Sequence, residues 1–371
     1  MPGKGLEDII AAETSVSDID GKQGRLFYVG YDIHQLVQST FEEIVWLLHN
    51  LELPTHEQLD EVTEQLTNER DLDDFVEGLM PTMVQQTSPM SMLRTTVSAM
   101  SAHDPDGWDQ SERANYRKAM RLIARFPTVI ATFDRLRSGE KAVKPNPKLS
   151  QAANLLWMLQ GREPEEEVAR ILDICLVLHA DHTMNASTFA ARVAASTLAD
   201  IHSAVTAAIA TLKGPLHGGA NEAVMKTLLE IGDVGKVESA VKEMLGAKKK
   251  IMGFGHRVYK TEDPRATHLR KLSERMGEMT GDSRWYDMSR VMEQVVMDEK
   301  GLYPNVDFYA ASVYYAMGIP VDLFTPIFAA SRVAGWTAHI REQYADNRLI
   351  RPESAYVGPP HRPYVPIDQR G

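Results

Sequence analysis

The chain has 371 residues, of which 43% are hydrophobic and 25% are charged, a composition typical of a globular protein. Its formal net charge of −11 argues against nucleic acid as a partner, because binding to a phosphate backbone requires a positively charged surface. No apolar run reaches the roughly 18 residues that a membrane-spanning helix needs, so we expect no membrane association.

The start of the chain and its cysteine content indicate a cytoplasmic protein. Glu7 and Asp8 lie where a secretory signal peptide would need an apolar stretch. The single cysteine, Cys175, cannot form an internal disulfide, and its aliphatic neighbours favour a core residue over a catalytic thiol. We therefore expect a soluble protein in the cytoplasm.

Residues 1–34 are predicted to form a short β-hairpin before a helical remainder. Leu26 and Tyr28 alternate with polar neighbours, and Gly21 and Gly24 favour a turn before them. After this segment, apolar residues recur at three- and four-residue spacings, which is the period of a helix. The predicted helices are FEEIVWLLHN, HEQLDEVTEQL, ANYRKAMRLIARF, QAANLLWMLQ, EEVARILDICLVLHA and NASTFAARVAASTLADIHSAVTAAIATL.

Prolines and glycines separate the predicted helices from one another. The predicted fold class is all-α. Breaks are expected at Pro54, Pro81, Pro89, Pro105, Pro145, Pro147, Pro164 and Gly214-Pro215. The alanine-rich stretch 186–212 is predicted to form a closely packed helix, either buried or between subunits.

Length and composition predict two domains. A chain of 371 residues exceeds what one hydrophobic core usually serves. Residues 214–320 contain more glycine and charge and are predicted to form a small domain, with 1–213 and 321–371 forming a large one. The proline-rich tail after Arg351 has little helical period, and we expect it to pack on a partner subunit.

Three histidines and one aspartate lie in segments marked by glycine or proline. They are His182 in HADHTMNAS, His217 in GPLHGGANE, His256 in GFGHRVYKTEDPR and Asp307 in YPNVDFY. Neighbouring glycines leave backbone and imidazole accessible to a ligand. The four contexts together predict a functional site.

His217 and Asp307 are predicted to remove a proton next to a carbonyl group. His217 precedes a helix predicted from Ala220, whose N-terminus disfavours a protonated ring and therefore favours a neutral hydrogen-bond donor. Asp307 opens another predicted helix, where we expect the ionised, basic carboxylate to be stabilised. A base and a carbonyl-polarising histidine together suit enolate formation, although a purely helix-capping role for Asp307 stays open.

An enolate requires an electrophile, and the remaining polar residues could hold one. His256 and His182 could bind a second carbonyl compound, and Arg265, Arg332 and Arg351 could pair with carboxylates. Local positive charge on an acidic protein suits small anionic ligands.

The sequence gives less support for a metal site or a nucleotide-binding site. His179 and His182 could share a helix face and bind zinc, but no third ligand has a suitable spacing and HExxH is absent. The GFG segment at 253–255 lacks the third glycine of a dinucleotide-binding motif, and no Walker A sequence occurs. We expect no metal and no permanently bound cofactor.

At these residues the chain resembles the citrate synthase family, in its shorter type. The resemblance runs from ETSVSDIDGKQGRLFYVGYDI to NRLIRPESAYVGP, almost end to end. It implies a nearly all-helical homodimer whose large and small domains close over oxaloacetate and acetyl-CoA, the latter a co-substrate.

The resemblance also implies individual roles. Asp307 would take the acetyl methyl proton, and His217 would donate to the thioester oxygen. His256 would polarise the ketone of oxaloacetate, which His182 would help to hold.

Further positions match the substrate-binding residues of the family. Arg265 in DPR, Arg332 in SRVAG and Arg351 in IRP match carboxylate-binding arginines, and Arg351 would be supplied by the neighbouring subunit. Asn185 and Ser187 match positions near oxaloacetate. The CoA-binding positions would be Lys250, Ile251, Gly253, Phe254, Gly255 and Lys260.

One departure and two alternative functions accompany this interpretation. Many relatives carry glycine in place of Thr183 or Met184, so the local backbone could differ. A 2-methylcitrate synthase would use propionyl-CoA in the same site, since a methyl group shifts selectivity by only about 1–3 kcal/mol. A non-catalytic acyl-CoA-binding or scaffold dimer predicts loss of Asp307 or His217, yet both are present.

Overall fold

The computed structural model describes residues 5–6 and 9–371, so Glu7 and Asp8 lie outside the described residues. The described chain forms sixteen α-helices and one three-stranded sheet. The all-α fold class predicted from the sequence is therefore confirmed. No helix in this part of the chain is long and apolar enough to cross a membrane.

The N-terminal hairpin is present and carries a third strand. The antiparallel strands are β1 (Ser17–Asp20), β2 (Arg25–Tyr28) and β3 (Tyr31–Asp32), in that order. The β1–β2 turn lies against the loop that follows His256, where the Lys260 amide donates to the Gly21 carbonyl at 2.8 Å. A side chain at Gly21 would collide with the Val258 carbonyl oxygen, so glycine permits this close approach.

The first eight helices follow this sheet in the chain, and each contributes buried side chains. The helices are α1 (Ile33–Leu36), α2 (Phe41–Asn50), α3 (His56–Asn68), α4 (Asp74–Met83), α5 (Pro89–Met100), α6 (Glu112–Arg137), α7 (Gln151–Gln160) and α8 (Glu166–His179). Capping boxes start α2 and α3. The Thr40 and Thr55 hydroxyls accept from the amides of Glu43 and Gln58, whose side chains accept from the amides of Thr40 and Thr55.

One predicted helix break is wrong. Pro81 lies inside α4, although a proline there removes the bond to the Glu77 carbonyl. Asp73 caps the start of this helix, and the buried side chains of Val76 and Met80 hold the turn before the proline in the core. The other predicted breaks fall between helices or, at Pro89, on the first residue of α5.

Eight further helices complete the chain. They are α9 (Ala186–Ser196), α10 (Ile201–Leu212), α11 (Ala220–Ile231), α12 (Val237–Gly246), α13 (Pro264–Thr280), α14 (Arg284–Lys300), α15 (Val306–Ala316) and α16 (Phe324–Ala345).

The stretch 186–212 forms two helices rather than the single helix predicted. Leu198 takes the left-handed conformation with φ 63°, which ends α9. Asp200 then caps α10 by accepting from the Ser203 amide at 3.0 Å. The two helices pack closely against each other, as small side chains allow.

Helix α16 is the central element of the core. It is buried along most of its length and contacts α6, α8, α9 and α10. Helices α11 to α15 pack largely among themselves, with α15 against α11 and α13, and α12 against α14. The division into 1–213 plus 321–371 and 214–320 stays a prediction.

Candidate active site

Residues from six parts of the chain meet around a cavity of about 510 Å³. Most of the site residues expected from the sequence line it. These are His182, Asn185, His217, Lys250, Gly253, Phe254, Gly255, His256, Arg265, Asp307 and Arg332. Ser187, Ile251, Lys260 and Arg351 lie outside this lining.

Backbone pairing brings the His256 loop next to the start of α15. Phe254 forms an antiparallel bridge with Pro304. The Asn305 amide donates to the Gly253 carbonyl, and the Gly255 amide donates to the Tyr303 carbonyl, both at 2.9 Å. Since Asn305 also caps α15, this pairing fixes where the helix starts. His256 and Asp307 consequently face the same cavity.

Gly253 is required for close packing within this pair of segments. Its φ of 84° is left-handed, and a Cβ there would lie 2.7 Å from Val224 and 2.9 Å from Phe308. The sequence suggested that glycines here expose the backbone to a ligand. Gly253 does line the cavity, and its missing side chain also lets α11 and α15 pack closely against this loop.

His256 is held as a neutral ring with a defined tautomer. Its Nδ1 accepts from the backbone amides of Val258 at 3.0 Å and Tyr259 at 3.2 Å. Burial, assisted by Arg265, lowers the pKa of His256 to about 4. The neutral ring therefore carries its proton on Nε2 and can donate from that atom.

His217 is also neutral, but its proton lies on the other nitrogen. Its Nε2 accepts from the Ser187 amide at 3.3 Å, and the Ser187 hydroxyl lies 2.8 Å from the same atom. Burial, assisted by Arg332, lowers the pKa of His217 to about 4. Nδ1–H is consequently the donor. The expected helix N-terminus is present, because α11 begins at Ala220.

Ser187 has a positioning role that the sequence did not indicate. The indole N–H of Trp336 on α16 donates to the Ser187 hydroxyl at 3.1 Å. Ser187 is fully buried and contacts His217 instead of lining the cavity. It therefore orients the imidazole from behind.

His182 lies beside His256 at the base of the cavity. Their ring centroids are 5.2 Å apart, and His182 Nε2 shares a 3.1 Å hydrogen bond with the Tyr259 hydroxyl. Burial, followed by the charge of Arg265, holds the pKa of His182 well below its ordinary value. Three neutral imidazoles thus face one cavity.

Asp307 has the properties of a general base. Its Oδ1 is buried and has no hydrogen-bond partner among the described residues. Burial raises the pKa of Asp307 to about 7, against the opposing charges of Arg265 and Arg332. The capping alternative is wrong, because Asn305 caps α15 and accepts from the Asp307 amide at 3.1 Å.

Two buried arginines supply positive charge to the cavity. Arg265 forms a bidentate pair with Asp263, with Nε–Oδ1 2.9 Å and Nη2–Oδ2 2.7 Å. Arg332 donates from Nε to the His179 carbonyl at 2.7 Å and has no carboxylate partner among the described residues. Because burial lowers the pKa of Arg332 only to about 10, this guanidinium stays charged at neutral pH and suits an anionic ligand.

Asn185 caps the helix that follows His182. Its Oδ1 accepts from the amides of Ser187 and Thr188, both at 3.1 Å. The same side chain lines the cavity, so it combines a structural contact with a position beside the ligand space.

The remaining expected residues lie at or beyond the cavity rim. Lys250 is exposed and lines the cavity, whereas Ile251 is buried beneath it. Lys260 is exposed beside an adjoining hollow of about 240 Å³. Arg351 is exposed on the extended C-terminal tail and does not reach the cavity of its own chain.

Two neighbours of the site were missed in the sequence. Tyr259 contacts both His182 and His256, and Asp263 is fully buried against Arg265. Asp263 also caps α13, and an Asp-Pro pair before a helical pattern is the signal that could have identified it.

His179 and Cys175, the residues considered for metal and thiol chemistry, have structural roles. His179 Nδ1 donates to the Cys175 carbonyl at 2.7 Å. Among residues 5–6 and 9–371, no group of three or more metal-ligating side chains could hold an ion. Cys175 is buried, and burial raises the pKa of its thiol, as expected for a core residue.

Comparison with known proteins relates this site to one family. Residues 5–353 match the family model for citrate synthase, C-terminal domain. A citrate synthase of Haloferax volcanii is 50% identical over 99% of this chain and 98% of its own length. Citrate synthase 2 of Bacillus subtilis is 49% identical, with 99% of both chains covered.

A solved structure and a further relative point to the same family. The ternary complex of Thermoplasma acidophilum citrate synthase with carboxymethyl coenzyme A and oxaloacetate has a TM-score of 0.93 at 35% identity, covering 99% of both chains. A 2-methylcitrate synthase of Mycobacterium tuberculosis is 42% identical over 96% of this chain and 90% of its own length. The shared fold and near-complete coverage show that the chain belongs to the citrate synthase family.

Proposed function

We propose that the chain catalyses the citrate synthase reaction, in which acetyl-CoA, oxaloacetate and water give citrate and CoA. The observation that carries this proposal is the convergence of Asp307, His217 and His256 on one cavity, with a raised carboxyl pKa and two neutral imidazoles. Members of this family are acyltransferases that use acetyl-CoA as a substrate and need no permanently bound cofactor.

The first step is the removal of a methyl proton from acetyl-CoA. The Asp307 carboxylate takes the proton, and the electron pair of the broken C–H bond forms the enolate double bond. Nδ1–H of His217 donates a hydrogen bond to the thioester oxygen, where negative charge develops. A carboxyl group with a pKa of about 7 is a stronger base than an exposed aspartate and is still ionised in part at neutral pH.

The second step forms the carbon–carbon bond. The enolate carbon attacks the ketone carbon of oxaloacetate, and Nε2–H of His256 donates a hydrogen bond to the ketone oxygen, where negative charge develops. The alkoxide of citryl-CoA then takes up one proton, which balances the proton that Asp307 removed, and His256 stays neutral. His182, 5.2 Å away between ring centroids, lies where it can hold the same substrate. Water then cleaves the thioester of citryl-CoA, which releases citrate and the CoA thiol.

The carboxylates of oxaloacetate would be bound by arginine. Arg332 is charged, fully buried and without a carboxylate partner among the described residues, so it suits a substrate carboxylate. Arg265 uses one edge of its guanidinium for Asp263 and can present the other. Asn185 would help to shape this part of the site, whereas Ser187 would act behind it by orienting His217.

The CoA moiety would bind at the rim formed by 250–255. Lys250 and Lys260 are exposed there and could meet phosphate groups. Ile251, Gly253, Phe254 and Gly255 would contribute backbone contacts to adenine.

We also propose a cytoplasmic homodimer in which Arg351 completes the partner's site. Arg351 lies on an extended tail that exposes large apolar side chains, as expected of a segment that packs on another subunit. These side chains are Tyr356 (79% exposed), Val357 (94%), Tyr364 (80%) and Ile367 (74%).

Domain closure is part of this proposal. The predicted large domain (1–213 plus 321–371) carries His182 and Arg332, and the predicted small domain (214–320) carries Asp307. Oxaloacetate would bind first and draw the domains together, which excludes water until citryl-CoA has formed. Solution scattering with and without oxaloacetate measures this closure, and identical curves would contradict it.

A second candidate is 2-methylcitrate synthase. A 2-methylcitrate synthase of Mycobacterium tuberculosis is 42% identical to this chain. Propionyl-CoA, the substrate of that reaction, should therefore be tested beside acetyl-CoA. Retention of Asp307 and His217 argues against a non-catalytic scaffold.

The test is the release of free thiol by the purified protein with oxaloacetate. Acetyl-CoA and propionyl-CoA are supplied separately at matched concentrations, and the products are identified by mass spectrometry. We expect rapid, oxaloacetate-dependent release that favours acetyl-CoA and yields citrate. A preference for propionyl-CoA would change the substrate assignment, and no release from either would overturn the proposed reaction.

A further inference from the structure

The turn that carries His182 contains a strained residue. Thr183 has a φ of 46°, in the left-handed region that costs a non-glycine residue about 1–2 kcal/mol. This residue connects His182 to Asn185, so its conformation sets the direction of both side chains toward the cavity. Something in the surroundings must compensate for the strain.

Asp181 holds the strained residue by its backbone. Its Oδ2 accepts from the Thr183 amide at 3.1 Å and also from the Ser17 hydroxyl. Ser17 Oγ lies 3.1 Å from the same Thr183 amide, so strand β1 takes part in the contact. Asp181 is fully buried, and this low-dielectric setting strengthens its hydrogen bonds.

His339 on α16 is the third partner of the Asp181 carboxylate. Nε2 of His339 lies 3.2 Å from Asp181 Oδ2, and both residues are 0% exposed. Nδ1 of the same ring faces Nη1 of Arg192 at 3.2 Å, and a guanidinium can only donate. Nδ1 is therefore the acceptor, and Nε2–H donates to Asp181.

Helix α16 lies directly against this turn. The Gly335 amide donates to the Ala180 carbonyl at 3.2 Å, and a side chain at Gly335 would collide with Asp181. The same helix carries Arg332 in the cavity and Trp336 behind Ser187. The His339–Asp181 contact thus joins the His182 turn to the helix that bears the arginine.

We propose, building on the proposed function, that Asp181 and His339 are positioning residues for oxaloacetate. They hold Thr183 in its left-handed conformation through the Asp181 carboxylate, and so keep His182 and Asn185 aligned with Arg332. Neither residue lines the cavity, so they act through the turn and not by contact with the substrate.

The test compares His339→Gln, His339→Leu and Asp181→Asn with the wild type. Loss of a hydrogen bond to a charged partner costs about 1.5–3 kcal/mol, so we expect the Leu variant to bind oxaloacetate about tenfold or more weakly. The KM for acetyl-CoA and kcat should change by less than about threefold, because neither Asp181 nor His339 is hydrogen-bonded to Asp307 or His217. Glutamine can place an N–H near Nε2 and should restore part of the affinity.

A Thr183→Gly background separates positioning from general destabilisation. Glycine takes φ near 46° without strain, so the turn no longer depends on Asp181. The oxaloacetate penalty of His339→Gln, and of His339→Leu where it folds, should therefore shrink in that background. A merely structural role predicts the same penalty with threonine and with glycine.

His49→Gln is the matched control. His49 is also buried and bonds to α16, with Nε2 3.1 Å from the Thr337 hydroxyl, but it does not contact the His182 turn. We expect its oxaloacetate affinity to equal that of the wild type.

Calorimetric titration with oxaloacetate provides the affinity independently of turnover. Folded His339 and Asp181 variants that bind as tightly as a binding-competent wild type would overturn the positioning roles alone. A wild type that neither binds oxaloacetate nor releases thiol would overturn the proposed function, and this inference with it.

Discussion

Asp307 shows how burial and a helix terminus compete for one carboxyl group. The sequence placed Asp307 at a helix start and suggested a stabilised, ionised form. A helix N-terminus stabilises a carboxylate by about 0.3–1 kcal/mol, less than the cost of burying an unpaired charge. Burial therefore prevails and raises the pKa to about 7. The sequence could not show that Asn305 caps the helix and that Asp307 lines a cavity.

The raised pKa makes a prediction about stability. Between about pH 4 and pH 7 folded Asp307 keeps a proton that the unfolded chain has released, so its contribution to stability falls as pH rises. Asp307→Asn removes this titration. Relative to the wild type, its free energy of unfolding should rise across that window by a few kcal/mol, since one pKa unit corresponds to about 1.4 kcal/mol.

Urea unfolding of both proteins at pH 4, 5.5 and 7.5 measures this difference. The two curves should lie closest together at pH 4 and furthest apart at pH 7.5. A difference that does not vary with pH would contradict the buried, proton-holding carboxyl group.

The sequence predicted that His217 is neutral, but it could not predict which ring nitrogen carries the proton. The position of His217 before a helix indicated a neutral ring, and its pKa of about 4 agrees. The sequence contained no sign that Ser187, thirty residues earlier in the chain, would take Nε2. Which nitrogen donates depends on such long-range partners, and only the fold provides them.

At the scale of elements, periodicity predicted helices better than their boundaries. Pro81 is tolerated because it lies in the last turn of α4, after Val76 and Met80 have buried their side chains in the core. The break at 197–200 was missed because the apolar period runs through it, while Leu198 and Asp200 end one helix and cap the next. Tertiary packing and capping decided both outcomes.

The pairing of 253–255 with 303–305 leads to a prediction at Gly253. Gly253→Ala should lower the free energy of unfolding by about 2 kcal/mol or more, because a left-handed alanine is strained and its Cβ would crowd Val224 and Phe308. Catalytic efficiency should fall as well, since the same pairing aligns His256 with Asp307. Thermal unfolding and steady-state kinetics measure the two effects.

Gly281→Ala is the control for backbone strain alone. Gly281 has a φ of 69°, and a Cβ there would meet nothing within 4 Å. We expect a cost of about 1 kcal/mol without a change in kinetics. Equal costs at the two positions would show that crowding at Gly253 is unimportant.

In the assembled fold, the cavity is lined by segments that lie between His182 and Arg332, a span of 150 residues in the sequence. The sequence motifs identified most of these residues, because glycine, proline and paired chemistry mark them locally. Arg351 is the exception, since its exposed tail does not reach the cavity of its own chain. Its role depends on the assembly.

Subunit complementation tests the shared site. Arg351→Ala and Asp307→Ala should each be nearly inactive as purified proteins. If Arg351 serves the partner's cavity, unfolding and refolding an equal mixture gives mixed dimers with one intact site, or about a quarter of wild-type activity. Activity that never exceeds that of the separate variants would place Arg351 in its own subunit's site or outside catalysis.

The most direct test of Asp307 as the base is the turnover of Asp307→Ala together with its affinity for oxaloacetate. Thiol release from acetyl-CoA should fall by about a thousandfold or more, because the base is lost. Oxaloacetate affinity should stay within about threefold of the wild type, because Arg332 and His182 keep their positions. Near-normal turnover in a folded Asp307→Ala protein would contradict the assignment of the base, and with it the mechanism.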